Sequence, residues 1–224
     1  MLTLFIKKTD CSILLFNFVP GKKIVLMKTQ KSETTKQLII EKTSTVFNVK
    51  GYAGTSINDV MSATGLSKGC IYGNFVNKDE IALSVFDYNF AKVTQHMKER
   101  ILATKDSLER LLVYPHTYKN YFRYPYLQAG CPILNTATEA DDTHPALQKR
   151  VQKALAFWKT SIENQIKRGI DRNEIKADTD PTEIAVVMIS MIEGAFMQAK
   201  VNKHMTELNI AMSFLERMIS NLKA

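Results

Sequence analysis

Glycine and proline are scarce in this chain, at nine and six of 224 residues. That scarcity disfavours a turn-rich β architecture and makes helices the expected building blocks. Cysteine is scarcer still. Cys11, Cys70 and Cys131 show no CxxC or other metal-ligand spacing, and their odd number argues against a disulfide framework. A reducing cytoplasm is the simplest compartment for such a chain. HExxH, GxSxG, the phosphate-binding loop and the dinucleotide fingerprint are all missing, so no such motif proposes an enzyme, a cofactor or a metal centre. The acidic cluster Glu139, Asp141 and Asp142 with His144 suggests a metal site, but a solvated loop ahead of a helix explains it equally well and is the preferred reading. Long apolar runs are missing too. The stretch at residues 11–19 follows Lys7 and Lys8 like a faint signal peptide, but it falls well short of the ~20 residues that span a bilayer. No small-residue cleavage site follows it. We expect residues 1–26 to be a non-native extension or a disordered arm, with translation beginning at Met27.

The formal charge of +8 suggests an acidic partner, and nucleic acid is the obvious one. Its distribution weakens that inference: residues 1–26 carry +3, residues 27–80 carry +2 and the remainder +3. Basicity is spread evenly and marks no patch. The functional argument therefore rests on a motif.

That motif occupies residues 55–80, TSINDVMSATGLSKGCIYGNFVNKDE. Ser56 with Asp59 three residues on has capping-box spacing, and Ile57, Val60 and Met61 then share a helical face. Gly65 stops that helix. Ser67 can cap the next, which is about two turns long, with Ile71 and Phe75 inward and Lys68, Gly69, Tyr72, Gly73 and Asn74 outward. Asn77 and Glu80 repeat the capping spacing. Three helix starts in so short a stretch require a compact helical knot of the helix-turn-helix type.

The stretch resembles the DNA-binding segment of TetR-family transcriptional regulators. The resemblance lies in Thr55-Ser56-Ile57, Gly65-Leu66-Ser67-Lys68-Gly69, Ile71-Tyr72, Phe75 and Asn77-Lys78-Asp79-Glu80, and covers roughly residues 32–90. It implies a short helix in the major groove, with Ser67, Lys68, Gly69, Tyr72 and Asn74 toward the bases and Thr55 and Lys78 on phosphates. Gly73 stands where the family more often has a larger side chain, and Cys70 where Thr, Ser or Ala is usual. The base code is therefore not legible in this helix.

Around the motif the periodicity is helical throughout. Residues 32–50 form a bracing helix with Ile39, Thr43, Val46 and Phe47 on one side and Gly51 as its stop. A fourth helix carries Ile81, Ala82, Val85, Phe86 and Phe90. Tyr114, Tyr118, Tyr121 and Phe122 make an aromatic stripe, interrupted by Pro115 and Pro125, that suits core packing or contact with a small apolar ligand. A long amphipathic helix runs from Leu147 to Ile170. The next, residues 184–197, is apolar on nearly every side and so must be buried on nearly every side.

The expected protein is all-α. Residues 27–80 form a helix-turn-helix DNA-binding domain, and residues 81–224 a helical effector-binding and dimerisation domain. By the resemblance it is a homodimeric, ligand-responsive regulator, released from a palindromic DNA operator by a small molecule. The effector pocket is expected around Tyr118, Phe122, Trp158 and Met191, and the dimer interface on residues 151–170 and 184–199. A variant of this reading makes Cys131, ahead of Pro132, an electrophile or oxidant sensor. A helical ligand carrier or enzyme without DNA binding is the alternative from another class.

Overall fold

The computed structural model describes residues 25–224, of which residues 25–31 and 126 are described by their backbone alone. The expected extension, residues 1–26, thus lies almost wholly outside the described residues. Among the described residues ten α-helices follow one another: α1 Val25–Gly54, α2 Ile57–Thr64, α3 Lys68–Tyr72, α4 Lys78–Leu102, α5 Ser107–Lys119, α6 Pro125–Gln128, α7 Pro132–Ala140, α8 Pro145–Asp171, α9 Pro181–Asn202 and α10 Thr206–Ser220, with a 3-10 turn at Tyr121–Arg123. There is no strand among the described residues, only an isolated bridge between Ile175 and Lys223.

The caps anticipated around the motif are present. Asp59 N–H donates to Ser56 Oγ at 3.1 Å, and Ser56 N–H donates back to Asp59 Oδ2 at 2.8 Å, which completes a capping box on α2. Gly65 closes α2 in the left-handed region at φ 72°, its N–H donating to the Met61 carbonyl. Cys70 N–H donates to Ser67 Oγ, and Glu80 N–H to Asn77 Oδ1. The third capping spacing is not reciprocal as the second residue suggested. The Glu80 carboxylate accepts from Val76 N–H instead.

Two apolar cores result. The smaller gathers Ile39 and Phe47 of α1, Val60 of α2, Ile71 of α3, Phe75, and Ile81 and Val85 of α4. The larger joins α4 to α10 and includes Phe86, Tyr118, Trp158, Ile166, Met188 and Phe196. Adjacent positions on α4, Val85 and Phe86, serve different cores, so this helix belongs to both. A fully buried Ile or Phe contributes roughly 1.5–3 kcal/mol. The reading head holds few such residues and depends on its neighbours.

A second connection is made by α7. Helix α1 breaks at Gly51, where φ is 72° and ψ −179°. The break exposes the N–H groups of Tyr52 and Ala53, and both donate to the Glu139 carboxylate at 2.6 Å. Tyr52 hydroxyl bonds Asp79, and its ring meets His144 edge-on at 4.5 Å. Glu139 and His144, grouped by the sequence in one solvated loop, thus serve this junction. Asn48 Nδ2 donates to the Gly130 carbonyl, and Asn135 Nδ2 to the Asn48 carbonyl, at 2.9 and 2.8 Å.

Helix α9 is long and apolar enough to cross a membrane by length and composition. One face, with Ala185, Met188, Ile192 and Phe196, is sealed in the chain's own core. Val186, Met197 and Val201 remain outside.

Replacing Gly51 by Ala forces a side chain into a backbone region nearly exclusive to glycine and drives Cβ into the Glu139 carboxylate. The expected cost is about 1–3 kcal/mol, read as a lowered urea midpoint at unchanged m-value.

Candidate nucleic-acid interface and buried cavity

Helix α3 presents a small open face. Ser67, Lys68, Gly69 and Tyr72 are exposed, and nothing lies within 4 Å of where a Gly69 Cβ would be. Cys70 and Ile71 point inward, and Phe75 fills the floor beneath them. Gly73 stands just beyond the helix in ordinary right-handed conformation and caps it, rather than weakening its interior. The resulting surface pairs one cation, one hydroxyl and one phenol with bare backbone, dimensions that suit entry into a major groove.

Three residues expected on that interface are placed otherwise. Thr55 is 1% exposed and its hydroxyl donates to the Gly51 carbonyl at 2.6 Å, satisfying the end of α1. Lys78 Nζ donates to the carbonyls of Tyr52 and Thr55 at 2.8 and 3.1 Å and lies 4.0 Å over the Tyr52 ring. A cation at carbonyls left open by a helix end is favourable, and it draws this charge toward the α1–α2 corner. Asn74 Nδ2 donates to the Cys70 carbonyl while its Oδ1 accepts from Ser32 Oγ. These three brace the reading helix; the exposed four can touch a ligand.

A cavity of about 330 Å³ opens between α4, α5, α7 and α8. Tyr118 of the aromatic stripe and Trp158 of the long amphipathic helix line it, their rings 5.9 Å apart and 14° from parallel. Phe122 and Met191 do not. The α5 helix ends at Lys119, so the Tyr114–Tyr118 periodicity does not reach Phe122, which the 3-10 turn leaves 52% exposed. Met191 packs against the main core from another side of α9. The lining residues missed include Phe90, Phe157, Ser161 and Gln165. The last two sit three and seven positions beyond Trp158, a helical spacing that could have found them.

Cys131 lines the cavity but is 1% exposed, and its thiol donates to Glu193 Oε1 at 2.9 Å. Burial first, and then the Glu193 charge, push this thiol well above its usual range. A reactive sensor needs the reverse, an accessible thiol in an electropositive site. Burial likewise raises the Glu193 carboxyl from 4.5 to about 7, against the opposing Cys131 hydrogen bond.

A capped two-helix knot with an exposed recognition face, carried on a larger helical body, defines a helix-turn-helix DNA-binding regulator. Residues 39–85 match the family described as bacterial regulatory proteins of the TetR family, and residues 107–215 match the tetracycline repressor-like C-terminal domain. A TetR-family regulator from Cytophaga hutchinsonii is 42% identical in sequence, with a TM-score of 0.82 over 87% of this chain and 97% of that one. Another from Chloroflexus aurantiacus is 36% identical, also at TM-score 0.82, over 87% and 98%. The transcriptional repressor DhaR of Mycobacterium sp. GP1 is 24% identical over 78% of this chain and 86% of its own. The chain belongs to the TetR family of transcriptional regulators.

The raised Glu193 carboxyl gives stability a pH signature. Below about pH 4.5 the group is protonated in both states. Between there and about pH 7 the folded chain keeps a proton that the unfolded chain releases, so stability falls as pH rises, by roughly 3 kcal/mol in all. Glu193→Gln keeps an acceptor for Cys131 and removes the titration. Thermal melts from pH 5 to pH 8 should show the variant gaining on the parent as pH rises.

Proposed function

We propose that a dimer of this chain reads an inverted-repeat operator through two copies of α3, and that a small molecule in the cavity releases it. The supporting observation is the position of that cavity: α4, whose N-terminal half completes the core of the reading head, also forms a cavity wall through Phe90, Val93 and Met97. A ligand that favours one setting of α4 and α7 over another shifts the separation of the two heads. Half-sites about one helical turn apart, ~34–36 Å, are the geometric expectation for a two-fold dimer. In this reading residues 27–80 are the DNA-binding domain, residues 81–224 the effector and dimerisation domain, and the protein works in the cytoplasm as a repressor rather than an enzyme.

The dimer surface in this reading is α9 with α10. Val186, Met197 and Val201 of α9 and Ile210 and Phe214 of α10 are all at least 47% exposed. The sequence expectation had paired α9 with α8. Helix α8 turns Val151, Ala154, Trp158 and Ile162 inward and shows Gln152, Lys153, Thr160, Asn164 and Lys167 outside, with Phe157 at the cavity mouth. Exposed apolar side chains at helical spacing on α9 and α10 give a second subunit more to bury.

Footprinting on the DNA upstream of the protein's own gene and of its neighbours tests the proposal, which fails if a dimer protects no site. Salt titration separates the face residues from the braces. Lys68→Ala should weaken binding and reduce the slope of log K on log salt by about 2, close to one counterion for each head. Lys78→Met should leave that slope nearly unchanged and lower the melting temperature, because its charge holds carbonyls within the fold.

A further inference from the structure

Resting on the reading of the cavity as an effector site, we infer the chemical class of the effector: an uncharged, flat, mainly apolar molecule of one or two fused aromatic rings, carrying one hydroxyl or N–H donor. Its shape follows from the walls. Tyr118 and Trp158 are nearly parallel, and Tyr114 lies 27° from Trp158 at 6.4 Å, so the three rings present a slab of common orientation. A space of about 330 Å³ corresponds to about eleven waters at ~30 Å³ each, which suits a body of roughly 10–15 non-hydrogen atoms.

The polar requirement follows from the buried polar atoms of the lining, one of which has no partner. Tyr114 hydroxyl and Ser161 Oγ are paired with each other at 3.2 Å. Thr94 Oγ1 donates to the Phe90 carbonyl of its own helix, and Gln95 Nε2 to Glu99. Gln165 differs. It is 8% exposed, lines the cavity, and its Oε1 is buried without a hydrogen-bond partner. A buried amide carbonyl left open calls for a donor, and a ligand that supplies one recovers the full cost of its isolation. Charge is limited in the same way. No carboxylate lines the cavity, and Glu193, behind Cys131, already accepts the thiol. The one ionised group in the lining is Lys98, exposed at the rim. A cation would enter with no counter-charge and meet that lysine, a desolvation penalty with nothing to offset it.

Calorimetry on the full chain with three matched probes tests the class: 2-naphthol, 2-methoxynaphthalene and 2-naphthyltrimethylammonium. The expected order is 2-naphthol at least ten-fold tighter than its methyl ether, with the ammonium probe not binding measurably. Gln165→Leu, which removes an unpartnered polar atom and should fold at least as stably, is expected to erase the preference for the hydroxyl while leaving the ether's affinity intact. Equal binding of hydroxyl and ether by the unaltered protein, or preference for the cation, overturns the ligand class; release of operator DNA by that other probe would show the effector reading to stand without it. Failure of all three to bind overturns both. Binding in the expected order without operator release supports the ligand class and counts against the release mechanism.

Discussion

The Glu139 carboxylate, accepting the N–H groups of Tyr52 and Ala53, is the contact on which the arrangement of head and body depends. A helix that breaks at Gly51 leaves donors facing the body without partners in the helix, and such donors need another acceptor. One carboxylate from α7 satisfies two of them in charge-assisted bonds, each worth about 1.5–3 kcal/mol. Gly51 is needed both for its backbone conformation and because a side chain there would occupy the carboxylate's place. Lys78, Thr55 and Tyr52 then close the same corner from the head side. The corner is a polar lock between two apolar cores, and it sets the direction in which α2 and α3 leave α1.

That lock accounts for the small size of the recognition face. Helix α3 has five residues. Two of them face the core, and the residues that flank it are occupied by caps and braces. A helix this short cannot hold itself in place, since isolated helices below ~12 residues are marginal in water. Its rigidity comes from Ser67, Asn74 and Phe75, so positioning consumes side chains that would otherwise read bases. In the proposed reading Ser67, Lys68, Gly69 and Tyr72 are what is left for DNA, and close approach of bare backbone at Gly69 is part of what they offer.

How much of this was legible in the sequence depends on the range of the interaction. Caps were legible, because Ser56 with Asp59, Ser67 and Asn77 bond partners within four residues. Buried faces were legible for the same reason: Val60, Ile71 and Phe75 follow the helical period. Long-range polar contacts left no local trace. Nothing near Glu139 says that it caps a helix break more than eighty residues earlier, and nothing near Lys78 or Asn74 says that each faces another segment of the fold. The cavity was half legible. Tyr118 and Trp158 stood out as aromatics at helical spacing, but Phe122 was lost to a change from α to 3-10 geometry, and Gln165 is a polar residue whose importance comes from having no partner. The proposed dimer face leaves out α8, which the sequence had suggested, because amphipathicity shows that one side of a helix is buried and not that the other side is sticky.

Helix α7 gives the proposed coupling a physical basis. Pro132 and Ile133 at its start line the cavity, and Glu139 near its end holds the break in α1. Nine residues of helix extend ~13 Å at 1.5 Å per residue and move as one body. A ligand seated against Ile133 therefore bears on the Glu139 lock without any intervening loop to absorb the displacement. Typical coupling free energies are ~1–3 kcal/mol, and loosening one charge-assisted bond at the lock is of that size. Small shifts are enough, because the hydrogen bonds to Tyr52 and Ala53 are short and directional while the apolar contacts along α4 tolerate sliding. The body holds α1 by polar bonds at Asn48, Tyr52 and Ala53, all at its C-terminal end. Such an arrangement converts a change in cavity shape into rotation of α3 rather than into its unfolding.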